Sequence, residues 1–276
     1  MAFHLTRRCI SAAGALGGRI ALALGVRKEV TEENLVAAYP NADAPSIQRI
    51  MRSAYSNLGR VFFEMFYLRY ASRGAITSGL TVNNLPVIKR VVERNKGVIL
   101  LSAHLGNWEW MALGVGAHLG IPLHIIVKNQ RSNFSDRFLT ALRTRFGNEV
   151  IPAGDGRQVF KALLEKKVVA MLGDQAAPAN SVRVPFFGRL VPTFEGVARF
   201  ALKTRCTILL GECSRTNIGT YEMTFHEIPF DDLSDASEEN IRILTERHTQ
   251  ALEHIIRKEP GLWLWQHKRW KDADPI

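Results

Sequence analysis

Cysteine is scarce in this chain: Cys9, Cys206 and Cys213 are the three among 276 residues, and no two are spaced C-x-x-C. An odd, unpaired set excludes a disulfide framework and a paired-cysteine zinc site, and it fits a reducing compartment. Also missing are the phosphate loop G-x-x-x-x-G-K-[ST], the nucleophile elbow G-x-S-x-G and the zinc helix H-E-x-x-H. Gly114, Gly116 and Gly120 are wrongly spaced for the dinucleotide fingerprint G-x-G-x-x-G. Nucleotide-cofactor, serine-hydrolase and zinc chemistry therefore all lose ground. Nor is there an uninterrupted apolar run of about 20 residues, the length a membrane-spanning helix needs. The Gly-rich stretch from Cys9 to Val26 is broken by Arg19, which would cost about 2.5–3.5 kcal/mol near the centre of a bilayer.

Residues 1–30 are expected instead to form a helix lying in a membrane interface. Arg8 and Arg19, eleven residues apart, share one face of it and can sit among headgroup phosphates. A signal-peptide n-region and h-region, or a buried packing helix, are the alternatives. The rest, residues 31–276, reads as one globular domain, because 46% hydrophobic residues with charges of both signs can bury a core. A formal charge of +10 calls for an anionic partner, and nucleic acid, anionic lipid headgroups and an acidic carrier protein all qualify.

From Ala44 onward, Ile47, Ile50, Met51, Ala54, Leu58, Val61, Phe62, Met65 and Phe66 recur at spacings of three and four, predicting a long amphipathic helix. Leu85 to Arg94 is a further helix, capped by Asn83-Asn84. Short apolar runs then alternate with helix-length segments. The runs are Val98–Ser102, Leu123–Val127, Val168–Leu172 and Thr207–Gly211; the helices are Trp108–Leu119, Asn133–Phe146, Gly156–Lys166 and Thr193–Thr204. This order predicts an α/β fold, a mixed and mostly parallel sheet flanked by helices. Tyr221–Ile228 reads as an edge strand and Ser237–Arg257 as a charged amphipathic helix.

The run VILLSAHLGNWEW carries the chemistry. It places His104 just past a buried strand and Glu109 five residues on, at the start of a helix. In open α/β sheets the crevice beyond the strand carboxyl ends is where ligands bind. Five residues along a continuous helix would set the two side chains about 140° apart, so a His–Glu contact needs the turn that Gly106-Asn107 supplies. With Asn107 as N-cap, Glu109 enters the first helical turn and is expected to point back at the imidazole. A carboxylate on one ring nitrogen makes the other a base for an alcohol proton.

HLGNWE resembles the H-x4-[DE] motif of the glycerolipid acyltransferase superfamily, and its surroundings resemble the bacterial lipid A late acyltransferases. The likeness extends through ENLVAAYP, LRTRFGNEVIP, MLGDQ, VPFFGR, TFEGVARFAL and the ending GLWLWQHKRWK. It implies a glycerol-3-phosphate acyltransferase-like fold at the cytoplasmic face of the bacterial inner membrane, held peripherally or by its N-terminal region. It also implies an acyl thioester donor, acyl-carrier protein or acyl-CoA, and no cofactor. The acceptor is expected to be a hydroxyl of a lipid A precursor or similar glycolipid. By the family pattern His104 is the general base and Glu109 its orienting partner, while Lys128-Asn129-Gln130-Arg131 matches the family's donor-side segment only loosely. The alternatives are an acyltransferase for a lysophospholipid or a mannosylated phosphoinositide, and a non-catalytic lipid- or nucleic-acid-binding protein.

Four further residues are expected to contact substrate: Asn107, Arg143, Asp174 and Gln175. Arg143, like Arg145, sits at a helix end where it can meet phosphate or a developing oxyanion. Asp174 and Gln175 follow a strand and should project into the crevice that holds His104. Phe186 and Phe187 read as an acyl-groove wall, an interfacial loop or core. The interleaved tryptophans and cations of WLWQHKRWK suit a membrane interface, and the resemblance decides there for lipid over nucleic acid.

Overall fold

The computed structural model describes residues 2–94, 96–128, 132–216 and 219–273, so most of the donor-side segment lies outside the described residues. A helical N-terminal part comprises α1 (Ala2–Ala23), α2 (Lys28–Ala38), α3 (Ala44–Tyr70) and the short α4 (Arg73–Thr77). The α/β part begins with β1 (Leu80–Val82), α5 (Leu85–Glu93), β2 (Val98–Ser102), α6 (Trp108–Leu119) and β3 (Leu123–Val127). It continues through α7 (Asn133–Arg143), β4 (Glu149–Pro152), α8 (Gly156–Leu164) and β5 (Val168–Leu172). A hairpin, β6 (Arg183–Phe186) and β7 (Arg189–Pro192), precedes α9 (Gly196–Thr204), β8 (Thr207–Arg215), β9 (Tyr221–Glu227) and α10 (Glu238–Lys258).

Seven strands make one sheet in the order β1-β9-β8-β2-β5-β3-β4, and the hairpin stands apart. All pairings in the sheet are parallel except that of β8 with β9. The fold is the expected mixed, mostly parallel α/β sheet flanked by helices. Its central strand, β2, is buried at all five positions, the pattern of a strand covered on both faces. Tyr221 to Glu227 is not an edge, because β1 pairs parallel along its outer side. A three-residue strand followed at once by a helix is too short to show the alternation by which strands are read. The hairpin was equally hidden, by Pro185 and Pro192 within its strands.

α1 packs along α3 through glycines. A Cβ on Gly18 would lie 1.9 Å from the Tyr55 carbonyl oxygen, and one on Gly59 2.0 Å from that of Gly14, so the two backbones touch. Among the described residues no single helix is long and apolar enough to cross a membrane.

Candidate active site

The sheet register creates the site. Ser102 pairs with Leu172 across β2 and β5, so the second residue beyond each strand, His104 and Asp174, emerges side by side at the carboxyl edge. The Asp174 carboxylate accepts from the His104 backbone N–H at 2.9 Å, and Oδ1 meets the imidazole Nδ1 at 2.9 Å. Trp263 Nε1–H donates to Oδ2 at 2.7 Å. Burial alone would raise the Asp174 carboxyl, but the neighbouring His104 and these hydrogen bonds outweigh it and hold the group below its ordinary value. An ionised carboxylate only accepts, so Nδ1 carries the proton and Nε2 presents its lone pair. The Gln175 amide nitrogen lies 3.2 Å from Nε2, where it donates to that lone pair.

The C-terminal segment clamps this arrangement. Leu105 and Trp263 bridge antiparallel, Gly106 N–H donates to Leu262 O at 3.0 Å, and Leu264 N–H donates to His104 O at 3.1 Å. Gly106 adopts φ +64, and a Cβ there would stand 2.6 Å from Cys213 Sγ, so only glycine makes this bend. Asn57 fastens it further, donating to the carbonyls of Gly106 and Leu262 at 3.1 and 2.9 Å.

The expected His104–Glu109 contact is not made. Glu109, 3% exposed, gives its oxygens to Arg143, whose Nε and Nη2 donate at 3.0 and 2.5 Å. A guanidinium fork satisfies a buried carboxylate more fully than an imidazole edge can, and Asp174 already holds the ring. Burial would lower the Arg143 guanidinium, but Glu109 raises it above its ordinary value. Asn107 caps α6 through the Trp110 N–H at 2.9 Å and donates to Glu64 at 2.8 Å. Being fully buried, it has no face left for a substrate, and Asp174 likewise positions His104 rather than touching a sugar. Arg145 donates to the carbonyls of Leu68 and Ala71, so it anchors α3 instead of facing phosphate. Gln175 does reach the crevice.

The terminal tryptophans correct the interfacial reading. Trp263 and Trp265 are buried and pack with Phe186, Phe187 and Trp270 in one aromatic cluster. α9 begins at Gly196 rather than at Thr193, whose hydroxyl accepts from Arg269 Nη2 at 2.8 Å. Sequence reasoning missed Trp263 as the residue that fixes Asp174, because an indole beside cations carries the same signature at a membrane surface.

Beside the site an apolar cavity, open in part to solvent, runs between α6 and the sheet. Glu109, Arg143 and Ser102 stand at the carboxyl end of the strands, and Val115 and Leu123 line the far end. Glu109 and Val115 are six residues apart, about 9 Å along the helix axis.

The family model described as bacterial lipid A biosynthesis acyltransferase matches residues 2–272. The chain is similar to a phosphatidylinositol mannoside acyltransferase of Mycolicibacterium smegmatis, 21% identical over 85% of this chain and 76% of that protein. Among solved structures it is similar to the 1-acyl-sn-glycerophosphate acyltransferase PlsC of Thermotoga maritima, with a TM-score of 0.40 and 11% identity. That likeness covers 90% of this chain and 95% of the other.

Proposed function

The chain belongs to the bacterial lipid A biosynthesis acyltransferase family and is an acyltransferase, and we propose that it acylates a hydroxyl of a lipid A precursor or similar glycolipid with His104 as general base. One observation carries this reading: the imidazole has Nδ1 on a buried carboxylate and Nε2 toward Gln175, and its ring packs edge-on against Trp108, which lines the apolar cavity. His104 Nε2 takes the acceptor proton as the oxygen attacks the thioester carbonyl carbon. A C–O bond forms, the C–S bond breaks, and the imidazolium returns its proton to the departing thiolate. Asp174 stabilises that imidazolium, and the Glu109–Arg143 pair fixes the cavity mouth with Arg143 beside the developing oxyanion. The donor is acyl-carrier protein or acyl-CoA, and an acidic carrier suits the +10 charge.

A mannosylated phosphoinositide is the second acceptor, favoured by the mycolicibacterial relative. Both carrier thioesters, assayed with the purified protein against a lipid A precursor, a phosphatidylinositol mannoside and lysophosphatidic acid side by side, separate the readings by product mass. Acylation of the lipid A precursor is expected; exclusive acylation of either other lipid contradicts the first acceptor.

The acyl chain enters along α6 and ends near Val115. Val115→Phe should move the preferred donor to shorter chains. Losing burial of two methylenes, at about 0.8 kcal/mol each, slows the longest donor roughly tenfold. A competition assay over a chain-length series checks this, and an unchanged profile would place the chain elsewhere.

The enzyme works at the cytoplasmic face of the bacterial inner membrane, docked through a strip that joins three helices. Leu16 and Ile20 on α1, Phe62, Phe66 and Tyr70 on α3, and Phe134 on α7 are exposed. Phe66 meets Phe138 of α7 with ring centroids 5.3 Å apart, so the strip reaches the helix that ends at Arg143. Exposed Arg8 and Arg19 on α1, Arg73 on α4 and Arg137 on α7 suit anionic headgroups. Phe66→Ser with Phe134→Ser should weaken sedimentation with vesicles containing phosphatidylglycerol by at least tenfold, since each ring removed forfeits about 1.5–3 kcal/mol of burial. Equal sedimentation of the variant would rule this face out.

A further inference from the structure

Behind the catalytic bend lies a second polar cluster that the reaction does not use. Glu64 of α3 is fully buried, and its Oε2 accepts from Asn107 Nδ2 at 2.8 Å and from the Tyr221 hydroxyl at 2.7 Å. Around this single carboxylate gather three guanidiniums. Arg215, at the end of β8, approaches Glu64 Oε1 at 3.8 Å and donates to the Ser11 hydroxyl at 2.5 Å. Arg7 of α1 lies over the Trp110 ring, 5.9 Å from its centroid. Arg60 of α3 is half-buried, with Arg215, Glu64 and the exposed Arg19 as its charged neighbours.

Three positive charges against one negative leave an excess of two, and the excess is buried. Arg7 is 2% exposed and the Arg215 side chain 14%. Among the described residues, Nε and Nη1 of Arg7 and Nε of Arg215 meet no acceptor. A buried guanidinium stays charged, and leaving it unpaired costs several kcal/mol. The Trp110 face gives Arg7 some cation–π attraction but supplies no acceptor in the plane of its N–H groups. Burial accordingly pushes the Arg7 and Arg60 guanidiniums below their ordinary value.

A group with a charge near −2 and three acceptor oxygens would satisfy the cluster in a single step. We propose that Arg7, Arg60 and Arg215 form a binding site for a phosphate group, that of the lipid acceptor. The half-exposed Arg60 and the exposed Arg19 mark the way in, along the helices that carry the apolar strip. Asn107 ties the site to the catalytic bend, three residues from His104. Assigning the phosphate to the acceptor rests on the reading of His104 as the base; the site itself does not.

The test measures equilibrium binding of dioctanoyl phosphatidic acid and of inorganic phosphate to the full-length protein and its variants. Wild type and His104→Ala should bind the lipid phosphate equally, which keeps this site separate from the proposed catalysis. Arg7→Met and Arg60→Gln should bind it roughly tenfold more weakly. Glu64→Gln keeps an acceptor for Asn107 while removing the competing negative charge, so it should bind more tightly. A gain in one variant and losses in the others cannot come from misfolding. Equal binding by Glu64→Gln, Arg60→Gln and wild type overturns the site. Inorganic phosphate binding as tightly as the lipid overturns the assignment to the acceptor.

Discussion

His104→Ala is expected to lower kcat for acyl transfer by about 10²–10⁴, the range over which a positioned general base accelerates proton transfer. KM for the thioester should stay near its wild-type value, because in the proposed reaction the chain is held in the apolar cavity between α6 and the sheet, which the imidazole does not line. The variant should fold. His104 keeps its backbone N–H on Asp174 and its carbonyl on Leu264 whatever the side chain, and the ring is partly exposed. Steady-state turnover of an acyl-carrier-protein thioester by the purified variant checks this, and wild-type turnover would remove His104 from the chemistry.

Asp174→Asn should be nearly as damaging, and for a geometric reason. Two donors, the His104 backbone N–H and Trp263 Nε1–H, converge on Oδ2, so the amide oxygen of asparagine settles there. Its NH₂ then faces Nδ1 and donates to it, driving the imidazole proton onto Nε2. The ring keeps its place but loses the lone pair that the acceptor hydroxyl needs. A fall of about 10²–10⁴ in kcat follows, with little change in thermal stability because the hydrogen bonds are exchanged rather than lost. Glu109→Gln, which leaves the His104–Asp174 pair intact, should fall less; a larger loss there than in Asp174→Asn would return the orienting role to Glu109.

Most of the fold was legible because buried parallel strands announce themselves as apolar runs. VILLS, LHIIV and VVAML were bounded to the residue, and the bend at Gly106-Asn107 was visible in the motif. What stayed hidden was pairing. Asp174 stands 70 residues from His104, and only the register of β2 against β5 brings them together; each is the second residue past its strand, which is the signal that was there to use. Glu109 misled because five residues suggest contact, whereas the carboxylate turns to an arginine 34 positions away. The tryptophans beside cations near the C-terminus fit an interface and a core equally well by composition. Their burial against Phe186 and Phe187 depends on a hairpin that prolines concealed.

That His104 works through Nε2 because Asp174 holds Nδ1–H is open to direct observation by ¹⁵N NMR of histidine-labelled protein, with His104→Ala identifying the signal. In the neutral ring, a protonated Nδ1 and an unprotonated Nε2 in wild type, reversed in Asp174→Asn, is the expected result. A wild-type imidazole protonated on Nε2, or a tautomer that Asp174→Asn leaves unchanged, would contradict it.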